Sequence, residues 1–214
     1  MLELDCFIYE LSFPFLSHPR VLEVEQEMQY GKMLRREVER TFRGWKGQFI
    51  SYKKLKKQLK LIYPRSRGRF PRYATRRFVE VNNRGLRIGF SRLLHNELKK
   101  VNTFYLEKEE DYIIRLKELQ IRAANLRTNE EKLQVQKDIL KFHGEMVLLL
   151  QYSALNFRGL IKIVKKHNKK TGTTFEFSAM PRVMQQSFFS TDLLDNLMKE
   201  AEAMLARLFL PDEP

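Results

Sequence analysis

The chain has 214 residues, 43% of them apolar and 16 of them Phe, with 40 Lys and Arg against 26 Asp and Glu for a formal net charge of +14. That is enough apolar material for one packed domain, and the single cysteine, Cys6, excludes an internal disulfide framework and fits a reducing compartment. No unbroken apolar run approaches the roughly 18 residues a membrane-spanning helix requires, and the N-terminus opens with Glu3 and Asp5 where a signal or transit peptide is basic, so neither a span nor a targeting segment is expected.

In chain order, residues 28–42, "MQYGKMLRREVERTF", read as a short helix after Gly31 with Met33, Leu34, Val38 and Phe42 on its apolar side. Residues 47–62, "GQFISYKKLKKQLKLI", read as a second helix that buries Leu55, Leu59 and Ile62 and ends at Pro64. From Pro64 to Arg87 there are two prolines, two glycines and eight arginines with weak periodicity, which predicts an exposed Arg-rich loop over 64–87. Two long helices follow. Over 88–127, Leu94, Leu98, Val101, Tyr105, Tyr112, Leu116, Leu119, Ala123 and Leu126 keep a coiled-coil-like spacing. Over 129–170, Leu140, His143, Val147, Leu150, Ala154, Phe157, Ile161 and Val164 do the same, so the two helices pack as antiparallel neighbours across the short break "LRTNEEK", with Gly172 as the C-terminal stop. The tail, 180–210, holds a short helix around "MPRVMQQSFF" and a last helix opened by "STD", whose Leu193, Leu194, Leu197, Met198, Leu205 and Leu208 cap the bundle. With no strand-period segment, the fold class is all-α: a helical bundle with two long antiparallel helices, two short N-terminal helices and short C-terminal helices.

The positive charge is concentrated. Residues 44–79 hold 12 basic residues and no acidic one, residues 146–175 hold six and none, and the rest of the chain is net negative. Such segregation argues for polyanion binding by particular surfaces. In "GLIKIVKKHNKKTG", Lys162, Lys165, Lys166 and Lys169 fall within an arc of about 100° of a helix, and Arg158 extends that face by a turn. The helix macrodipole accounts for cations in the last turn, Lys169 and Lys170, but not for Arg158, Lys162 and Lys165 further upstream. In "SYKKLKKQLK", Tyr52 and Lys56 are four apart and share a face, a hydroxyl donor beside an ammonium, which suits phosphate. A solvated face and a binding face both fit each pattern alone; together they point to a compact, highly phosphorylated anion.

The stretches "MQYGKMLRREVE", "FISYKKLKKQLK", "ELKKVNTFYLEKEEDYIIRLKELQ" and above all "YSALNFRGLIKIVKKHNKKTG" resemble the SPX domain family, and "QQSFFSTDLLDNLMKEAEAML" resembles the tail of its stand-alone plant members. The resemblance spans about residues 28–210, leaving 1–27 as an N-terminal extension and 211–214 as a tail. It implies a phosphate-status sensor that binds inositol hexakisphosphate or an inositol pyrophosphate. Tyr52, Lys56 and Lys166 would form the phosphate-binding cluster, with Lys162, Lys165 and Lys169 as the adjoining lysine surface. It also implies a MYB-type phosphate-starvation transcription factor as partner and, with it, a nuclear and cytoplasmic location. The chain departs from the family pattern at Gln29 and Tyr30, where a Met-Lys-Phe-Gly start is usual, and at Asn168, where Asp is usual.

Other chemistry finds little support. His18, His95, His143 and His167 lack metal-ligand spacing, with His143 read as a seam residue, and "GWKGQF" lacks the context of a nucleotide-binding loop. No nucleophile is paired with a base, so no enzyme activity, cofactor or metal is expected. The alternative function is direct nucleic-acid binding through the arginine loop 65–87, with Arg65, Arg67, Arg69 and Arg72 among its residues, which has the charge but no groove-reading motif. A third reading, a peripheral phosphoinositide binder, requires an apolar insertion surface beside the lysines.

Overall fold

The computed structural model describes residues 23–62, 76–171 and 187–209, and all elements among them are helical. Five α-helices, α1 (Glu23–Arg40), α2 (Tyr52–Ile62), α3 (Arg76–Ala124), α4 (Asn129–Thr171) and α5 (Asp192–Phe209), are accompanied by 3₁₀ turns at Arg43–Trp45 and Ser187–Phe189. The expected all-α bundle is what forms. α3 and α4, 49 and 43 residues long, are antiparallel neighbours; α2 packs against both at one end, and α5 lies along both further down.

The connection between the long helices is built from its own sequence. Asn125 turns back to donate to the Ile121 carbonyl at 2.8 Å. Thr128 then caps α4: its hydroxyl accepts from the Glu131 amide at 3.1 Å while the Glu131 carboxylate takes the Thr128 and Arg127 amides at 3.2 and 2.8 Å. This reciprocal box satisfies orphan donors of the first turn and fixes where the helix begins. In α5, the acidic first-turn residues Asp192 and Asp195 suit the positive helix end.

Several boundaries differ from the sequence expectation. α1 begins at Glu23 and runs through Gly31, so the expected division between residues 27 and 28 falls within a helix. α2 begins at Tyr52, not 47, because the preceding residues form the 3₁₀ turn and a tight bend. α3 begins at Arg76, so the last part of the expected Arg-rich loop is helical; Arg65, Arg67, Arg69 and Arg72 lie outside the described residues, as do Gly172 and residues 180–186.

The α3 seam packs as its spacing predicts, with Leu94, Leu98, Val101, Tyr105, Tyr112, Leu116 and Leu119 buried. The α4 seam is one position off, except at its last expected residue, Val164, which is buried. Val135, Ile139, Phe142, Met146, Leu149, Tyr152, Asn156, Leu160 and Ile163 are buried, whereas Leu140 is 53% exposed and His143 stands at the edge, its Nε2 2.8 Å from Glu202 of α5. Two neighbouring ladders of α4 are apolar because α2, α3 and α5 cover it from several sides, and periodicity alone favours the ladder lacking Asn. α4 also contains a stretch long and apolar enough by composition to cross a bilayer, and here it is the central helix of the bundle. Leu193 of α5 is exposed, while Ala201 and Met204 join Leu194 and Leu197 in the core.

At the junction of the N-terminal hairpin with the long helices, Trp45 packs among Phe42, Phe104 and Tyr152, ring centroids 5.6, 5.2 and 5.9 Å away. At the α5 interface, the Ser153 hydroxyl donates to the Phe188 carbonyl and Gln136 Nε2 donates to the Leu208 carbonyl at 3.0 Å. Glu109 of α3 is 5% exposed there, beside Tyr105, which also faces Asp192 and Asp195. Burial pushes the Glu109 carboxyl up to about 7, with the Tyr105 hydroxyl opposing the rise.

Candidate functional site

The start of α2 is held by side chains from both long helices. Four successive residues contribute backbone groups: the Gln48 carbonyl accepts from Tyr152 Oη at 3.0 Å, the Phe49 carbonyl from Lys100 Nζ at 2.7 Å, the Ile50 amide donates to Asn156 Oδ1 at 2.8 Å, and the Ser51 amide to Glu97 Oε2 at 2.9 Å. Glu97 and Lys100 are themselves paired at 2.5 Å. Burial tends to raise the Glu97 carboxyl, but Lys100 and the Ser51 amide together hold it below its ordinary range. Buried polar groups of this kind are costly unless fully bonded, so the bend has one stable arrangement, and it sets the position of Tyr52 and Lys56.

α1 reaches α4 through Tyr30. This residue is buried, and its hydroxyl donates to the Leu155 carbonyl at 2.6 Å. Its ring meets the ring of Tyr52 edge-on at 5.0 Å, and Lys162 Nζ sits over it, 5.8 Å from its centroid, within range of a cation–π attraction. Burial raises the Tyr30 hydroxyl above its ordinary range; the Arg158 charge acts against this and Tyr52 with it. The approach is possible because residue 159 is glycine: a Cβ there would lie 2.8 Å from Ile50 Cγ2 and 2.9 Å from Tyr30 Oη.

Of the expected site residues, Lys165, Lys169 and Arg158 are exposed on α4, and Lys162, Lys166 and Lys56 are half-buried. The contacts Lys162–Tyr30 and Tyr30–Tyr52 link the lysine-bearing part of α4 through α1 to the start of α2. Tyr52 differs from expectation. It is 4% exposed, because α1 extends over it: a Cβ on Gly31 would stand 3.4 Å from its ring. Its ring is therefore part of the core beneath the surface.

Near the end of α4, His167 is buried and stacks on Phe90 of α3 at 5.2 Å and 16°. Burial holds its imidazole below the usual value, Asn168 opposing and the Arg87 guanidinium adding to the depression. This stack ties the lysine-bearing turn to α3. α4 continues to Thr171, so Lys162 and Lys165 lie more than a turn from its end and the macrodipole does not explain them. Sequence reading missed Asn156, Glu97, Lys100, Gly159 and the role of His167. An Asn within an apolar ladder and a Gly within a long helix were the available signals.

No protein-family model matches the chain. Among curated proteins, it is 45% identical over 190 residues to SPX domain-containing protein 2 of Arabidopsis thaliana, covering 85% of this chain and 66% of the relative. It is 46% identical over 187 residues to SPX domain-containing protein 1 of the same plant, covering 87% and 73%. SPX domain-containing protein 1 of Oryza sativa subsp. japonica is 46% identical, covering 87% and 67%. The chain thus spans about two thirds to three quarters of the length of these relatives. Among solved structures, the SPX domain of Chaetomium thermophilum glycerophosphodiester phosphodiesterase 1 in complex with inositol hexakisphosphate superposes with a TM-score of 0.66 at 26% identity, covering 84% of this chain and 98% of that one. With nearly half of its residues shared across most of its length with the plant proteins, and the same helical bundle as the solved domain, the chain belongs to the SPX domain-containing proteins.

Proposed function

We propose that this protein is a ligand-binding sensor without enzymatic activity, whose basic surface binds inositol hexakisphosphate or an inositol pyrophosphate. The observation that carries the reading is the lysine face of α4 joined through Tyr30 to the start of α2, in a fold whose solved relative holds inositol hexakisphosphate. Lys162, Lys165, Lys166 and Lys169 contact the phosphates with Lys56, and Tyr52 supports them. Each charge-assisted contact is worth about 1.5 kcal/mol or more, so a ring bearing several phosphates gains far more than orthophosphate. Within residues 28–210, the occupied surface is recognised by a MYB-type phosphate-starvation transcription factor, in the nucleus and cytoplasm.

The test is calorimetric titration with inositol hexakisphosphate and with orthophosphate, on the wild type and on Lys166→Ala, repeated with duplex DNA as competitor. The reading requires tight binding of the hexakisphosphate alone, weakened by the substitution. Equal weak affinity for both anions removes it, and displacement by DNA favours a nucleic-acid binder instead. The partner is tested separately: affinity of the transcription factor with and without saturating ligand should differ by about 5- to 150-fold, and ligand affinity should respond by the same factor.

A further inference from the structure

The outer face of α3 carries a feature that anion binding does not use. Leu106, Ile113, Ile114 and Ile121 are 37%, 46%, 60% and 56% exposed. With the exposed Glu110 and Lys117 they fall within an arc of about 100° on the helix, turned away from the core-facing Tyr105, Tyr112, Leu116 and Leu119. Leu106 to Ile113 and Ile114 to Ile121 are heptad steps, the spacing of a helix that pairs with another helix. An exposed stripe of this kind marks an interaction surface.

The order along the stripe identifies the partner. About the midpoint between Ile113 and Ile114, the sequence is symmetric in chemistry and antisymmetric in charge: Leu106 is as far from it as Ile121, and Glu110 as far as Lys117. We propose that a second copy of this chain packs on this face, α3 against α3, antiparallel about a two-fold axis through that midpoint. Ile113 then meets Ile114 of the other copy, Leu106 meets Ile121, and Glu110 meets Lys117, each contact made twice, as an isologous interface demands. A parallel pairing in register sets Glu110 against Glu110 and Lys117 against Lys117, so the charges select the antiparallel one. The flank carrying Glu107, Asp111 and Glu118 is acidic, which keeps further copies from adding laterally. The seam is about 24 Å long at 1.5 Å per residue, short enough that association is reversible and concentration-dependent.

The charge pattern supplies the experiment. Sedimentation velocity on the full chain, from low to several hundred micromolar, reads a monomer–dimer equilibrium for the wild type. Glu110→Lys alone and Lys117→Glu alone each place like charges opposite one another and raise the dimer dissociation constant at least about tenfold. An equimolar mixture of the two variants restores dimers, as heterodimers, and so does one chain carrying both changes. Both positions are exposed, so helical circular dichroism and melting stay at wild-type values. A wild type that remains monomeric, a Glu110→Lys variant that dimerises as well as wild type, or a mixture that associates no better than its components overturns the proposal.

Discussion

Replacing Gly159 by alanine puts a methyl carbon 2.8 Å from Ile50 Cγ2 and 2.9 Å from Tyr30 Oη, well inside the roughly 3.5–4.0 Å at which carbons attract. Neither neighbour can retreat freely. The Ile50 amide is tied to Asn156 and the Tyr30 hydroxyl to the Leu155 carbonyl. Overpacking of this kind costs about 1–3 kcal/mol, while alanine gains about 1 kcal/mol over glycine inside a helix. The net change is a loss of up to about 2 kcal/mol. Gly144, in the same helix with nothing within 4 Å of its would-be Cβ, is the internal control, because Gly144→Ala keeps only the propensity gain. Urea unfolding of both variants, followed by far-ultraviolet circular dichroism, reads the packing cost as the difference between them, about 1–3 kcal/mol. Since Lys162 Nζ lies over the Tyr30 ring, Gly159→Ala should also weaken inositol hexakisphosphate binding. Equal stabilisation by the two alanines would mean that α1 does not rest on α4 at this point, and the account of the site's assembly would fall with it.

Tyr30→Leu should weaken hexakisphosphate binding more than Tyr30→Phe, which keeps the ring under Lys162 and loses only the hydroxyl's bond; calorimetry on the two variants checks the order. Asn156→Ala leaves the buried Ile50 amide without its acceptor and should cost about 1–3 kcal/mol in urea unfolding; loss of less than a few tenths would mean that the bend before α2 is held by its other bonds alone. Glu109, raised from 4.5 to about 7 by burial, favours the protonated form when folded. It therefore contributes stability that is complete below its unfolded value and disappears as pH rises through about 7. Glu109→Gln should flatten stability between those limits and raise it at pH 8 by about 1–2 kcal/mol after allowance for solvent screening, measured by thermal melts across the range.

What the sequence disclosed follows from what periodicity can and cannot encode. The two long helices were legible because Leu94 through Leu119 repeat a spacing only a helix brings to one side, and because the short break "LRTNEEK" separates that pattern from the next; the Thr128–Glu131 cap that fixes the start of the second came only from the structure. The lysine face was legible for the same reason, since positions on one helix need no tertiary information. The register of α4 was not. Several elements cover it, so both candidate ladders are apolar, and the innermost one contains Asn156, whose polarity counts against burial until the Ile50 amide is seen to need it. The burial of Tyr52 was not legible either, because it depends on α1, a distant segment whose course no local pattern gives. The family resemblance supplied the ligand class and placed Tyr52 among the site residues, but it did not reveal that Tyr30, where this chain departs from the usual pattern, is the residue on which Lys162 and Tyr52 both rest.

Trp45 is the chain's only tryptophan, and its position among Phe42, Phe104 and Tyr152 makes it a built-in optical probe of a single joint. Excitation at the red edge of the absorption band, where tyrosine is silent, collects emission from the place where the N-terminal hairpin leans on both long helices and from nowhere else. Circular dichroism, by contrast, is dominated by those long helices. If the two signals change together on heating or in denaturant, hairpin and bundle come apart as one cooperative unit. If the emission shifts first, the hairpin that positions Tyr30 and Lys56 can detach while α3 and α4 stay paired. The lysine surface would then exist in an assembled and a disassembled form, and a polyanion that binds only the former would draw the emission back to its folded-state colour.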